Sequence, residues 1–99
     1  MSDHDYPTED ELQRLRDWPV SDPRGWLGYA QSLWWAAGWG WPELECDPVS
    51  TGGWSGNESI IEAMRENVLW AVCWENTRAG GHYTFKLPGP EYFAAPEEP

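Results

Sequence analysis

The stretch Thr51-Gly52-Gly53-Trp54-Ser55-Gly56-Asn57-Glu58 limits the folds open to this chain more than any other. Three glycines in five residues admit backbone angles that a Cβ forbids, so a turn is expected here. Ser59-Ile60-Ile61-Glu62-Ala63-Met64-Arg65-Glu66 follows, with Ile60, Ile61 and Met64 at helical spacing. Two start signals compete for that helix. Ser55 with Glu58 three residues later makes a capping box. Asn57 as the cap instead puts Glu58 in the first turn, where the helix dipole favours a carboxylate. Trp54, set between glycines, is expected to pack inward.

A chain of 99 residues makes one domain (residues 1–99) and buries a smaller share of its surface than a large protein does. Nine tryptophans, four tyrosines and two phenylalanines answer that shortage, since each buried aromatic removes roughly 150–250 Å² from water. The polar start 1–7 and the acidic, proline-rich stretch 88–99 read as loose tails. No apolar run reaches the roughly 20 residues of a membrane helix, and the start lacks a signal peptide's basic and apolar regions. A cytoplasmic protein is the expectation. Cys46 and Cys73 have no metal-ligand spacing and read as buried small hydrophobes.

Helix signals open the chain. Thr8-Glu9-Asp10-Glu11 is a capping box followed by Leu12, Leu15 and Trp18, which predicts a helix over 8–17 ending before Pro19. Asp22-Pro23 starts a second helix carrying Trp26, Leu27, Tyr29, Ala30, Leu33, Trp34 and Ala37, closed by Gly38-Trp39-Gly40. Glu43-Leu44-Glu45-Cys46-Asp47 alternates acid with apolar and predicts a strand with one wet face. Val68-Leu69-Trp70-Ala71-Val72-Cys73-Trp74 predicts a central strand, and His82–Leu87 its hairpin partner across the turn residues 76–81. The expected fold is α+β, in the order α-α-β-α-β-β, with a three-stranded sheet packed by helices.

Charge shapes the functional reading. Seventeen acidic against six basic residues give a net charge of −11, which repels nucleic acid and anionic membranes and steers the chain toward a basic surface. Glu58, Glu62 and Glu66 stack at four-residue spacing, where like charges repel. Glu66 also sits at the dipole's unfavourable end. Glu43, Glu45 and Asp47 would project from one strand face. Together these acids can imitate a polyanion, and the alternative is a solvated helix face that serves solubility. Trp34-Trp35 diverge by about 100° on a helix, and Trp39 alternates with Trp41 across a glycine, so Trp35 and Trp39 are the candidate apolar anchors. The acids lack Ca²⁺-loop spacing, so no metal or other cofactor is implied. Ser55 lacks the spacing of a nucleophile elbow, and His82 reads as a surface or pairing histidine. The glycine turn lacks a P-loop lysine, which leaves Gly52, Gly53, Trp54, Ser55 and Asn57 as an alternative small-ligand site.

The segment Ser50–Ile61, then Leu69-Trp70, Cys73-Trp74 and Gly80-Gly81-His82-Tyr83, resembles a group of small uncharacterised proteins encoded by phages and prophages. The resemblance covers roughly residues 50–87 and brings no catalytic residues with it. It implies a setting, a virus in a bacterial cell. Charge and setting together favour a non-enzymatic inhibitor of a host nucleic-acid-handling or defence complex, anti-CRISPR-like in action. Its partner would be a basic protein surface, with no direct nucleic acid or membrane contact. A two-fold homodimer through the aromatic surface is also compatible with so small a chain.

Overall fold

The computed structural model describes residues 6–45, 48–89 and 92. Helix α1 spans Glu9–Asp17, α2 Pro23–Leu33 and the single turn α3 Ala37–Gly40. Strand β1, Val49–Ser50, precedes α4, Ser55–Arg65, and the short helix α5, Leu69–Cys73. Strands β2, Trp74–Arg78, and β3, His82–Phe85, complete the order. The class is α+β, with helices packed on a three-stranded antiparallel sheet ordered β1-β3-β2. β3 is therefore the central strand. It pairs Val49 with Tyr83 on one side and Thr77 with Tyr83 on the other.

The first two helices start where their capping residues stand. Thr8 Oγ1 accepts from the Glu11 N–H at 3.1 Å while Glu11 accepts from the Thr8 N–H at 2.8 Å, a complete capping box. Asp22 accepts from the Gly25 N–H at 3.0 Å, with Pro23 as the first helical residue. The second helix is one turn shorter than its apolar stripe suggests. Trp34 leaves helical geometry at ψ 126°, and its indole N–H donates to the Ser50 carbonyl at 3.2 Å. The reversal that follows uses Ala36 at φ 60° in the left-handed region, not Gly38. Gly40 then lies against β1 so closely that a Cβ there would stand 2.5 Å from the Ser50 carbonyl oxygen.

Two strand expectations are corrected. Glu43–Glu45 form a bend, and the first strand begins after them at Val49. The bend is held from inside, because the Trp41 indole donates to the Leu44 carbonyl at 3.2 Å and Leu44 packs on the core. Cys46 and Asp47 lie outside the described residues. The second correction concerns Val68–Trp74, which is a turn of helix before it is a strand. The buried Asn67 side chain accepts from the Leu69 N–H at 2.8 Å and so starts α5, with Leu69 and Cys73 buried one turn apart. A short run apolar on every side has no decisive period, which is why β-branched content misleads here. The hairpin is real, but its first arm is Trp74–Arg78, bulged at Glu75, where sequence indicated mostly turn.

The core lies where α1, α2, α4 and α5 meet one another and the sheet, with Leu15, Trp26, Leu27, Ile60, Met64, Leu69 and Phe85 fully buried. Trp41 stacks on Phe85 with ring centroids 5.5 Å apart, and Trp34 meets Trp41 edge-on at 5.0 Å. Asn67 ties the helical layer together: its amide N–H₂ donates to the carbonyls of Leu15, Arg16 and Trp18 at 2.9–3.2 Å. These include acceptors that the end of α1 leaves without intrahelical partners. Cys73 is buried, and that burial, followed by the charge of Glu45, pushes its thiol pKa up to about 11.

Candidate interaction face

The glycine turn runs through two successive left-handed residues, Gly52 at φ 65° and Gly53 at φ 74°. Such angles are costly for any side-chain-bearing residue, so the pair fixes the chain's direction between β1 and α4. The turn is closed by its own threonine. Thr51 is buried, its carbonyl accepts from the Trp54 N–H at 3.1 Å, and its Oγ1 accepts from the Gly53 N–H at 3.3 Å.

Neither expected cap operates at the start of α4. Trp54 occupies the capping position, its side chain does not cap the helix, and Ser55 is already helical. Asn57 is buried and turned toward the α2–α3 connection. Its Oδ1 accepts from the Trp35 N–H at 2.8 Å, and its Nδ2 donates to the carbonyls of Trp35 at 3.2 Å and Thr51 at 3.3 Å. One amide thus pairs with another residue's peptide group across 22 positions of sequence and fixes Trp35 beside the turn.

Trp35 then stacks on Trp54 with centroids 4.9 Å apart and planes 29° from parallel. Tyr6 lies on Trp54 as well, at 4.8 Å, and the Ser55 hydroxyl donates to the Tyr6 hydroxyl at 3.4 Å. Trp39 rests against Gly52, where a Cβ would come within 3.2 Å of its six-membered ring. Trp54 therefore joins a surface cluster, half-buried, where sequence suggested inward packing. Exposure separates this cluster from the core: Trp39 is 70% exposed, Tyr6 48% and Trp35 43%. Sequence reading missed Tyr6, which it assigned to a loose tail. The readable signal was a large aromatic two residues before a helix cap.

The candidate acids divide. Glu58 is exposed at the turn, and its carboxylate accepts from the Thr51 hydroxyl at 3.4 Å. Glu62 is exposed one turn further along α4. Glu66 is drawn away from both, since Arg16 of α1 pairs with it at 3.0 Å and with Glu9 at 2.9 Å. This ion pair answers the unfavourable position of Glu66 at the helix end. The hydrogen bond to Glu9, ahead of the charge of Glu66, raises the pKa of Arg16 despite some opposing desolvation. Arg65, three residues after Glu62, lies over Trp70. Glu43 and Glu45 are exposed on the bend, and Glu45 accepts from the Leu87 N–H at 2.6 Å. Asp47 is outside the described residues, so alignment of the three acids on one strand face does not carry over.

Two other places hold chemistry-bearing groups. Ser50 Oγ and His82 Nδ1 are 2.8 Å apart, as expected of residues directly opposite in the β1–β3 register. An open cleft of about 440 Å³ lies at the α1–α2 corner, lined by Arg14, Asp17, Trp18, Pro19 and Asp22. Its groups are engaged with one another: Arg14 lies over Trp18, Asp22 accepts from the Trp18 indole at 3.3 Å, and Asp17 accepts from Gln13 at 3.1 Å. Among the described residues, no three His, Cys, Asp or Glu side chains gather as a metal site, and no helix is long and apolar enough to cross a membrane. No protein-family model, curated protein or solved structure matches the chain.

Proposed function

We propose that this chain is a non-enzymatic interaction protein that docks the face around its glycine turn on a basic surface of a host nucleic-acid-handling or defence complex. The observation that carries this reading is the union of Trp35 and Trp39, both substantially exposed, with Glu58 at one rigid turn. Tryptophan is enriched among residues that dominate binding energy, and an acidic rim selects a basic partner. The net charge of −11 steers encounter with such a surface. The resemblance of residues 50–87 to phage-encoded proteins supplies the setting, in which blocking a host groove built for nucleic acid is an anti-CRISPR-like action. The small-ligand alternative has less to draw on, because the Asn57 amide is already engaged by Trp35 and Thr51.

The test is capture from host bacterial lysate on immobilised protein, with added duplex DNA as competitor. A nucleic-acid-binding complex is expected on the native protein, displaced by DNA and by high salt. It is expected to be absent on the Glu58→Lys/Glu62→Lys double variant when circular dichroism shows that variant folded. Retention of the same complex by the folded double variant overturns the acidic docking face.

A further inference from the structure

Resting on that reading and deepening it, we infer that the face selects arginine over lysine in its partner, receiving a guanidinium flat on the exposed ring of Trp39 with the Glu58 carboxylate beside the same turn.

The chain's treatment of its other partly exposed aromatics is the first support. Arg14 places its guanidinium carbon 5.6 Å from the Trp18 ring centre and 5.4 Å from that of Tyr29. Arg65 stands 5.5 Å over Trp70. All five arginines and Lys86 fall within the described residues, and none stands over Trp35 or Trp39. The two most exposed tryptophans, like Trp74, thus lack the cation that covers Trp18 and Trp70.

Support from beneath is the second observation. Gly52, held at φ 65°, lets the Trp39 ring settle on the turn, where a Cβ would reach to 3.2 Å of it. Trp39 is 70% exposed, with Cζ3 and Cη2 of its ring at Gly52, so most of the residue stays open to a planar partner. Charge is the third. Thr51, the residue preceding Gly52, holds the Glu58 carboxylate, which puts an anion on the same turn that Trp39 touches. A guanidinium is planar, weakly hydrated and stacks on aromatic faces while its N–H groups reach a carboxylate. An ammonium is a compact, strongly hydrated point charge that gains less from a ring open to water.

Two peptides of equal length and charge provide the test, five Arg-Gly repeats and five Lys-Gly repeats, each carrying fluorescein and titrated with the full chain by anisotropy. Native protein is expected to bind the arginine peptide about fivefold more tightly, the scale of one exposed cation–π contact. Trp39→Leu, which keeps an apolar cover on Gly52, is expected to remove that preference and bring the two peptides to equal affinity. Trp39→Phe should retain part of it. Equal affinity of native protein for both peptides overturns the arginine inference and leaves the basic-partner reading standing. Failure to bind either peptide at low salt overturns both. A preference that survives Trp39→Leu and Trp39→Ala alike moves the site off Trp39 and overturns the inference.

Discussion

Trp26 and Trp41 on one hand, and Trp35 and Trp39 on the other, show one residue type under two regimes. The first pair is fully buried, and each indole N–H is satisfied by a backbone carbonyl, that of Leu15 for Trp26 and that of Leu44 for Trp41, both at 3.2 Å. The second pair stands at the surface, one ring stacked on Trp54 and the other resting on Gly52. An asparagine serves each region: Asn67 receives the end of α1, and Asn57 fixes Trp35. The contrast teaches that the core draws on only some of the tryptophans within one short segment and leaves others at the surface. Trp41→Ala opens a cavity between Trp34 and Phe85 and should cost about 3–5 kcal/mol. Trp39→Ala should stay within about 0.5 kcal/mol, as exposed substitutions usually do. Urea denaturation of both variants is the check, and equal losses would dissolve the distinction.

The asparagines sharpen it. Asn67→Ala takes a donor from the carbonyls of Arg16 and Trp18, leaves that of Leu15 to the Trp26 indole, and removes the N-terminal acceptor of α5. A loss of about 2–3 kcal/mol is expected from unmade buried hydrogen bonds. Asn57→Ala breaks three bonds, around an exposed aromatic, so its stability cost should be smaller, about 1–2 kcal/mol. Its signature should be local. Amide exchange should quicken at Trp35 while the amides of β3 keep their protection.

Cys73 probes the buried side by pH. Its folded pKa of about 11 lies above that of an unfolded thiol, near 8.5. The neutral thiol's contribution is therefore complete below about pH 8.5 and lost as pH rises through 11. A loss of about 3 kcal/mol between pH 8 and 11 is expected, reduced in Cys73→Val relative to the native chain measured in parallel. At pH 8 the native thiol should alkylate far more slowly than in urea.

Legibility in the sequence followed the range of the interactions involved. α1 and the start of α2 were readable because Thr8, Glu11, Asp22 and Pro23 act within four residues of where they stand. The apolar face of α4 was readable from its period, and Ile60, Ile61 and Met64 are buried as spaced. The divergence of Trp34 from Trp35 was readable too, since the first is 4% and the second 43% exposed. The end of α2 was not, because Trp34 departs to reach Ser50, 16 residues away. Asn57 and Asn67 were opaque for the same reason: their partners lie 22 and about 50 positions distant. Of the candidate face, Trp35, Trp39 and Glu58 could be proposed from the sequence, whereas Tyr6 and the outward stacking of Trp54 required the fold.

The smallest effect separates the two regions most finely, because both contain the same sequence pattern. Thr8-x-x-Glu11 and Ser55-x-x-Glu58 each satisfy the capping-box rule. In the first, both reciprocal bonds form. In the second, Ser55 points to Tyr6, Glu58 accepts from Thr51, and α4 begins one residue early behind an uncapped Trp54. The serine and glutamate are thus turned to the aromatic face, and the helix start relies on the Trp54 carbonyl, which accepts from the Glu58 N–H at 3.0 Å. Thr8→Ala should cost about 1 kcal/mol, the usual loss for a helix cap. Ser55→Ala should cost less than about 0.5 kcal/mol, because its hydroxyl contact is exposed and caps nothing. Denaturant midpoints at equal slope measure the difference. A Ser55→Ala loss as large as that of Thr8→Ala would mean that α4 starts from a working cap and that the face around Trp54 is arranged differently.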